Sequence, residues 1–142
     1  MSLNHLLNKL KIKKGDVVLI TSNIIKILSK YKNNKINFDP NILINNVKKR
    51  IGKSGTILIP TFNWDFCKGK IFNYHKTSSQ SGALGNIALK RKDFMRSLNP
   101  IYSFAVAGKN QRKICNLKHL DCFSLNSPFG YLIKNNGKNL FI

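Results

Sequence analysis

Apolar residues in this chain fall into two patterns, short continuous runs and longer stretches at helical spacing. Residues 5–12 follow the helical pattern, and Lys14-Gly15-Asp16 turns the chain out of that element. Val17-Val18-Leu19-Ile20 is a continuous run rich in β-branched residues, the pattern of a strand buried on both faces. Thr21-Ser22-Asn23 follows directly, and Ile24 to Tyr31 predicts a helix. After the polar linker Asn33-Asn34-Lys35, Asp39 and Pro40 supply an N-cap and a first-turn proline. The helix they open has Ile42, Leu43, Val47 and Ile51 on its apolar face. Gly52 and Ser54-Gly55 end it and lead into a second buried strand, Thr56-Ile57-Leu58-Ile59.

Pro60 to Phe66 leaves that strand, and Cys67 to Ser79 reads as a long, polar, irregular stretch. Gly82 to Leu89 begins a helix, Met95 to Pro100 a loop, and Ile101 to Val106 a third strand. A helix is expected over 110–120. Ser127-Pro128 repeats the cap-then-proline signal for a helix over 128–134. Asn136-Gly137 turns the chain, and Asn139 to Ile142 starts another strand. Strands normally run ~5–6 residues and hand on to another element. The apolar ending therefore predicts that residues 1–142 are the C-terminally truncated, N-terminal part of one domain. Strands alternating with helices predict a layered α/β architecture.

Composition narrows the class. Hydrophobic residues make up 42% of the 142, enough to bury a core and too many for a disordered tail. No apolar run is long enough to span a bilayer, and the N-terminus lacks the basic and apolar regions of a secretory signal. A soluble, cytoplasmic protein is expected. Cys67, Cys115 and Cys122 are odd in number and form no CxxC, which argues against a disulfide framework or zinc site; reduced, partly buried thiols are expected, and no metal. The net charge of +20 suggests nucleic acid when taken alone. Against this, the basic residues are nearly all Lys, the chain has no Glu, and Lys, Asn and Ile are abundant together, as an A/T-rich coding bias would give. The lysines are also scattered through every segment, and the charge reads as solvated surface.

Ligands of α/β sheets bind beyond the carboxyl ends of the strands. Thr21-Ser22-Asn23 and Pro60-Thr61-Phe62 fall there, with hydroxyls and backbone N–H groups suited to phosphate or to pantetheine amides. Turn chemistry and capping would use the same residues. Arg96 to Ser103 packs an arginine, two serines and a tyrosine beside Pro100. Arg96 can pair a phosphate or fix a loop through backbone carbonyls. Trp64, Asp65 and Phe66 can wall a substrate site or simply edge the core. His75 and His119 are candidate bases, His75 in a polar loop and His119 at a helix end, but no catalytic triad follows from spacing.

Five segments occur in order: Gly15 to Ser22, Gly55 to Phe62, Thr77 to Leu84, Arg96 to Gly108, and Ser127-Pro128. Together they resemble the aminoglycoside 3-N-acetyltransferase family over essentially the whole chain. The resemblance implies a layered α/β/α fold with a mixed central sheet, unlike the GCN5-like acetyltransferases. It implies acetyl-CoA held by loops that include Thr21, Ser22, Lys26, Thr61, Phe62, Arg96, Ser97 and Ser103. Trp64 and Asp65 would then face the acceptor. It implies acetyl transfer to an amine, with a general base that the family places after the strand beginning here at Leu140; no catalytic residue is assigned within the chain. The first loop departs from the family pattern by lacking its second Ser and glycine, Gly85-Asn86 replaces Pro-Glu or Ser-Glu, and Asn99 stands where antibiotic-modifying members have His. Five Asp and no Glu offer little to a polycation. An amino-sugar acceptor, nucleotide-linked, fits this charge better than an antibiotic. The rival expectations are a basic nucleic-acid-binding domain and an inactive CoA-binding remnant.

Overall fold

The computed structural model describes residues 11–21, 23 and 39–142. The expected helix over Ile24 to Tyr31 and most of that over 5–12 lie outside the described residues, as do Ser22 and Lys26.

The sheet grows from the two continuous apolar runs. Strand β1 is Val17–Thr21 and β2 is Thr56–Pro60. They pair in parallel, Val18 opposite Ile57 and Leu19 opposite Leu58. Helix α1, Pro40–Ile51, is the crossover between them. The side chain of its N-cap Asp39 accepts the N–H of Asn41 at 2.8 Å, and Pro40 occupies the first turn. Leu43, Ile44, Val47 and Ile51 form its buried face, whereas Ile42 is half exposed. The stripe is thus rotated from the expected one: Ile44 takes the place given to Ile42, because Ile44, Val47 and Ile51 fall at i, i+3 and i+7 on one helix face.

Helix α2 is Ala83–Leu89. The segment Met95–Pro100, expected to be a loop, starts with the short strand β3, Met95–Arg96. It pairs antiparallel with β4, Phe104–Gly108, which starts three residues later than expected. The cause is Asn99: its side-chain oxygen accepts the N–H groups of Ile101 and Tyr102 at 2.9 and 2.7 Å, committing them to a turn. Helix α3, Gln111–Cys115, is shorter than expected. Its successor is a turn in which the Asp121 carboxylate accepts the N–H groups of Phe123 and Ser124, so His119 sits in a loop instead of at a helix end. Ser127 caps helix α4, Pro128–Lys134, as expected, and β5, Lys138–Phe141, pairs in parallel with β1.

The sheet order is β3-β4-β2-β1-β5, with parallel pairs on one side of β2 and antiparallel pairs on the other. This is the mixed sheet the resemblance implied. Alternate residues feed two cores. Val18, Ile20, Ile57 and Ile59 pack under α1 and α2, and Val17, Leu58, Phe104 and Val106 pack under α3 and α4. Two helical layers therefore sandwich the sheet, giving the expected α/β/α arrangement. Fully burying one such aliphatic side chain contributes ~1.5–3 kcal/mol, so these two cores hold the central strands β1, β2 and β4 in place. No helix among the described residues is long and apolar enough to cross a membrane.

Candidate functional site

Strands β1, β2 and β5 are mutually parallel through β1, so their carboxyl ends lie together. A cleft of about 230 Å³ opens there, lined by Thr21 and Asn23 after β1, Pro60 and Phe62 after β2, and Phe141 of β5. Helix α2 closes it with Leu84 and Gly85, and Ser81 adds a hydroxyl. Gly85 is required for this closure: a Cβ there would lie 2.5 Å from the Pro60 carbonyl oxygen. The Thr21 hydroxyl donates to the Asn139 side chain at 2.9 Å, which ties the rim to β5. The Phe62 N–H donates to Ser81 at 3.1 Å, and Ser81 and Ser79 hydroxyls lie 3.0 Å apart. Asn86 grips the Ser79 backbone twice, at 2.7 and 2.9 Å. The walls are thus mainly apolar, with few polar groups held in fixed positions.

The chain beyond β2 is built on a buried polar cluster. Pairing with the loop before β4 continues past Pro60, through the Thr61 N–H to Ser103 and the Asn63 N–H to Ile101, both at 2.9 Å. Arg96 is 3% exposed and lies behind this ladder. Its guanidinium donates to the Ser103 hydroxyl at 3.0 Å and to the carbonyls of Thr61 at 3.0 Å and Thr77 at 2.5 Å. It also lies 4.7 Å from the Phe72 ring centre. The Ser103 hydroxyl donates to the Thr61 carbonyl and lies 2.9 Å from the Thr61 hydroxyl. Ser97 and Phe104 exchange bonds, with the Ser97 hydroxyl accepting the Phe104 N–H. Of the two roles open to Arg96, the geometry shows the carbonyl-bonding one. Burial lowers the guanidinium pKa, and the neighbouring Tyr74 only partly opposes this.

Trp64 and Asp65 lie on the exposed side of the same loop. Asp65 opens a short 3₁₀ turn, Asp65–Lys68. Its carboxylate accepts from Lys70 at 3.1 Å and from Gln80 at 3.2 Å, and these bonds hold its pKa below the usual carboxylate value. A second cavity, about 220 Å³, is lined by Asp65 with Asn63, Lys70, Phe72, Lys76 and Thr77. Trp64 is 40% exposed and its ring meets the edge of Phe62.

The structure therefore brings Thr21 and Phe62 to one cleft, and Asp65 to its neighbour. Thr61, Arg96, Ser97 and Ser103 stand buried behind them. His75 lines neither cavity, whereas His119 lines a third, of about 740 Å³, together with Asn99, Lys118 and Asp121. His75 meets Tyr74 edge to face, and His119 contacts the Asp121 carbonyl. Cys67 is exposed rather than partly buried, because it lies on the outer 3₁₀ turn. Asn63, Tyr74, Gln80, Ser81 and Asn86 were not among the expected site residues. Tyr74 holds the loop by donating to the Arg96 carbonyl at 2.7 Å and accepting its N–H at 3.1 Å. The polar run Ser78-Ser79-Gln80-Ser81 just before a helix was the available signal for part of this group.

A family model described as aminoglycoside 3-N-acetyltransferase matches residues 29–142. A search of curated proteins gives no match. Among solved structures, the fold is similar to the YokD protein from Bacillus subtilis. That match has 24% identity, covers 92% of this chain and 59% of that one, and has a TM-score of 0.74. It is also similar to AAC-IIIb in a binary complex with CoASH, at 18% identity, 99% and 57% coverage and a TM-score of 0.80. A third similar structure is aminoglycoside acetyltransferase AAC(3)-Xa, at 19% identity, 99% and 54% coverage and a TM-score of 0.81. The chain spans little more than half the length of these three structures.

Proposed function

Because this chain belongs to the aminoglycoside 3-N-acetyltransferase family, we propose that it forms the donor-binding part of an acetyl-CoA-dependent N-acetyltransferase. The acceptor in this reading is an amino group of an amino sugar or aminoglycoside. The observation that carries the reading is the cleft at the shared carboxyl ends of β1, β2 and β5. Its apolar walls and sparse, fixed polar groups suit a thin amide-bearing arm such as pantetheine.

Thr21 and Phe62 contact the donor, with Ser22 and Lys26 assigned alongside them from the sequence. Thr61, Arg96, Ser97 and Ser103 act by holding the Phe62 backbone in register with β4. Trp64 and Asp65 face the acceptor, whose amine the ionised Asp65 carboxylate attracts. In the reaction the amine nitrogen attacks the thioester carbonyl carbon, the C–S bond breaks, CoA leaves as the thiol, and the amine loses a proton to a general base. Among the described residues no histidine lines the cleft, so donor binding and positioning are the roles assigned here.

The acceptor follows from charge. A polycation needs several carboxylates, and each of the three cavities offers at most one, Asp65 in one and Asp121 in another. The positive field instead draws the phosphates of CoA and of a nucleotide-linked amino sugar. CoA thiol release by the full-length protein tests this with two acceptor sets, aminoglycosides and nucleotide-linked amino sugars. Turnover of the second set is expected. Efficient turnover of aminoglycosides alone would overturn the acceptor assignment. CoA binding with no turnover of any amine would favour the inactive remnant.

A further inference from the structure

The lysines that are scattered along the sequence are gathered by the fold. At the end of the sheet opposite the cleft, β1, β2 and β5 begin and β4 finishes. Exposed Lys11, Lys13 and Lys14 precede β1 there. Exposed Lys49, Arg50 and Lys53 lie between the last turn of α1 and β2. Lys109 follows β4, Arg112 and Lys113 open α3, and Lys134 ends α4 just before β5.

Hydrogen bonds bind the segments before β1, after α1 and after β4 into one surface. The Gly15 N–H donates to the Ile51 carbonyl at 2.8 Å, and the Lys109 N–H to the Gly55 carbonyl at 3.0 Å. The Arg50 guanidinium donates to the Ile12 carbonyl at 2.8 Å. The nearby carboxylates are already engaged: Asp16 by Lys138, and Asp93 by Lys48 and Arg91. Among the described residues, none of the ten exposed basic groups at this end forms an ion pair. A coding bias accounts for the number of lysines, but it does not account for their collection at one end of a sheet.

We infer that this end is a phosphate-backbone-binding surface for duplex nucleic acid, independent of base sequence. Lysine supplies point charges in place of bidentate base readers, which suits sequence-independent contact. Five strands at about 4.8 Å spacing make the end about 20 Å across, wide enough to meet phosphates on both sides of a major groove about 12 Å wide. Among the described residues in these segments Ile133 is the one exposed large apolar side chain, and no exposed aromatic is present. A single-strand platform would need stacking aromatics, and a membrane-seated surface would need an apolar face.

Fluorescence anisotropy of the full chain with two short labelled DNA duplexes of unrelated sequence tests the assignment. Engaging roughly five phosphates predicts about a 500-fold loss of affinity between about 50 and about 200 mM salt, equal for both duplexes. The triple variant K49E/K53E/K109E should lose at least ~10-fold in affinity and show a shallower salt slope. The triple variant K68E/K76E/K118E, which changes net charge by the same amount elsewhere, should stay within about two-fold. Circular dichroism confirms that both variants are folded. Equal losses in the two variants would overturn the surface assignment. So would binding of anionic vesicles without binding of duplex, or a marked preference for one duplex.

Discussion

The two ends of the sheet handle polar groups in opposite ways. At the carboxyl end of β1 and β2 the side chains bond to the protein itself: Arg96, Ser103, Thr61, Asn63 and Ser79 are buried and every one has a partner. At the opposite end the charged groups project into solvent, and exposed lysines outnumber the two engaged carboxylates. The first arrangement fixes geometry, as a site that positions a thioester requires. The second fixes very little and creates a field, as long-range attraction of a polyanion requires. One fold thus separates an end whose polar groups are bonded in place from one whose basic groups project into solvent.

Single substitutions should expose this difference most strongly at Arg96. Arg96→Met leaves the carbonyls of Thr61 and Thr77 and the Ser103 hydroxyl without their charged donor. A loss of about 3–4 kcal/mol is expected in urea unfolding, since each buried bond to a charged group contributes ~1.5–3 kcal/mol and the bonds are coupled. Lys49→Ala, at the other end, should stay within ~0.5 kcal/mol. Comparable losses for the two would erase the contrast. Next in size is Gly85→Ala, which drives a methyl group into the Pro60 carbonyl oxygen and the Ser79 hydroxyl. Overpacking of this kind costs about 1–3 kcal/mol. Because α2 must move off β2, donor affinity should also fall, whereas duplex binding should not change. Thermal denaturation with CoA titration reads the first two effects.

The elements legible in sequence were those specified by neighbours in the chain. The runs Val17–Ile20 and Thr56–Ile59 and the caps Asp39-Pro40 and Ser127-Pro128 each carry their own signal. Strand β3 does not, because two residues become a strand only through their pairing with Val106 and Ala105. Arg96 shows the same limit within the site. Its sequence context allowed a phosphate contact or a loop clamp, and the choice rests on Thr61, Tyr74 and Thr77, which are 19 to 35 residues away. The basic end was hidden for the opposite reason. Its lysines look dispersed along the chain, and only the parallel crossovers, which bring the starts of three strands together, show them to be neighbours.

A smaller effect than at Arg96 or Gly85 is expected at Asp16, the acid embedded in the basic end. Its carboxylate accepts from the Lys138 ammonium and the Lys13 N–H, both at 2.6 Å. Burial alone would raise its pKa, but those bonds more than reverse this and leave it lowered. A carboxyl whose folded pKa lies below the unfolded value of about 3.9 contributes stability above that pH. The contribution is lost as pH falls through the folded value. Asp16→Asn should therefore cost ~1 kcal/mol at neutral pH, and the gap from the unsubstituted protein should close as pH falls below about 4. The same variant removes one negative charge from the proposed phosphate-binding surface, so duplex affinity should rise about two- to five-fold at low salt. Stability lower and affinity higher in one variant is a pairing that a merely structural role for the basic end does not produce. A drop in both would mean that Asp16 orders this end rather than competing with the phosphates for its lysines.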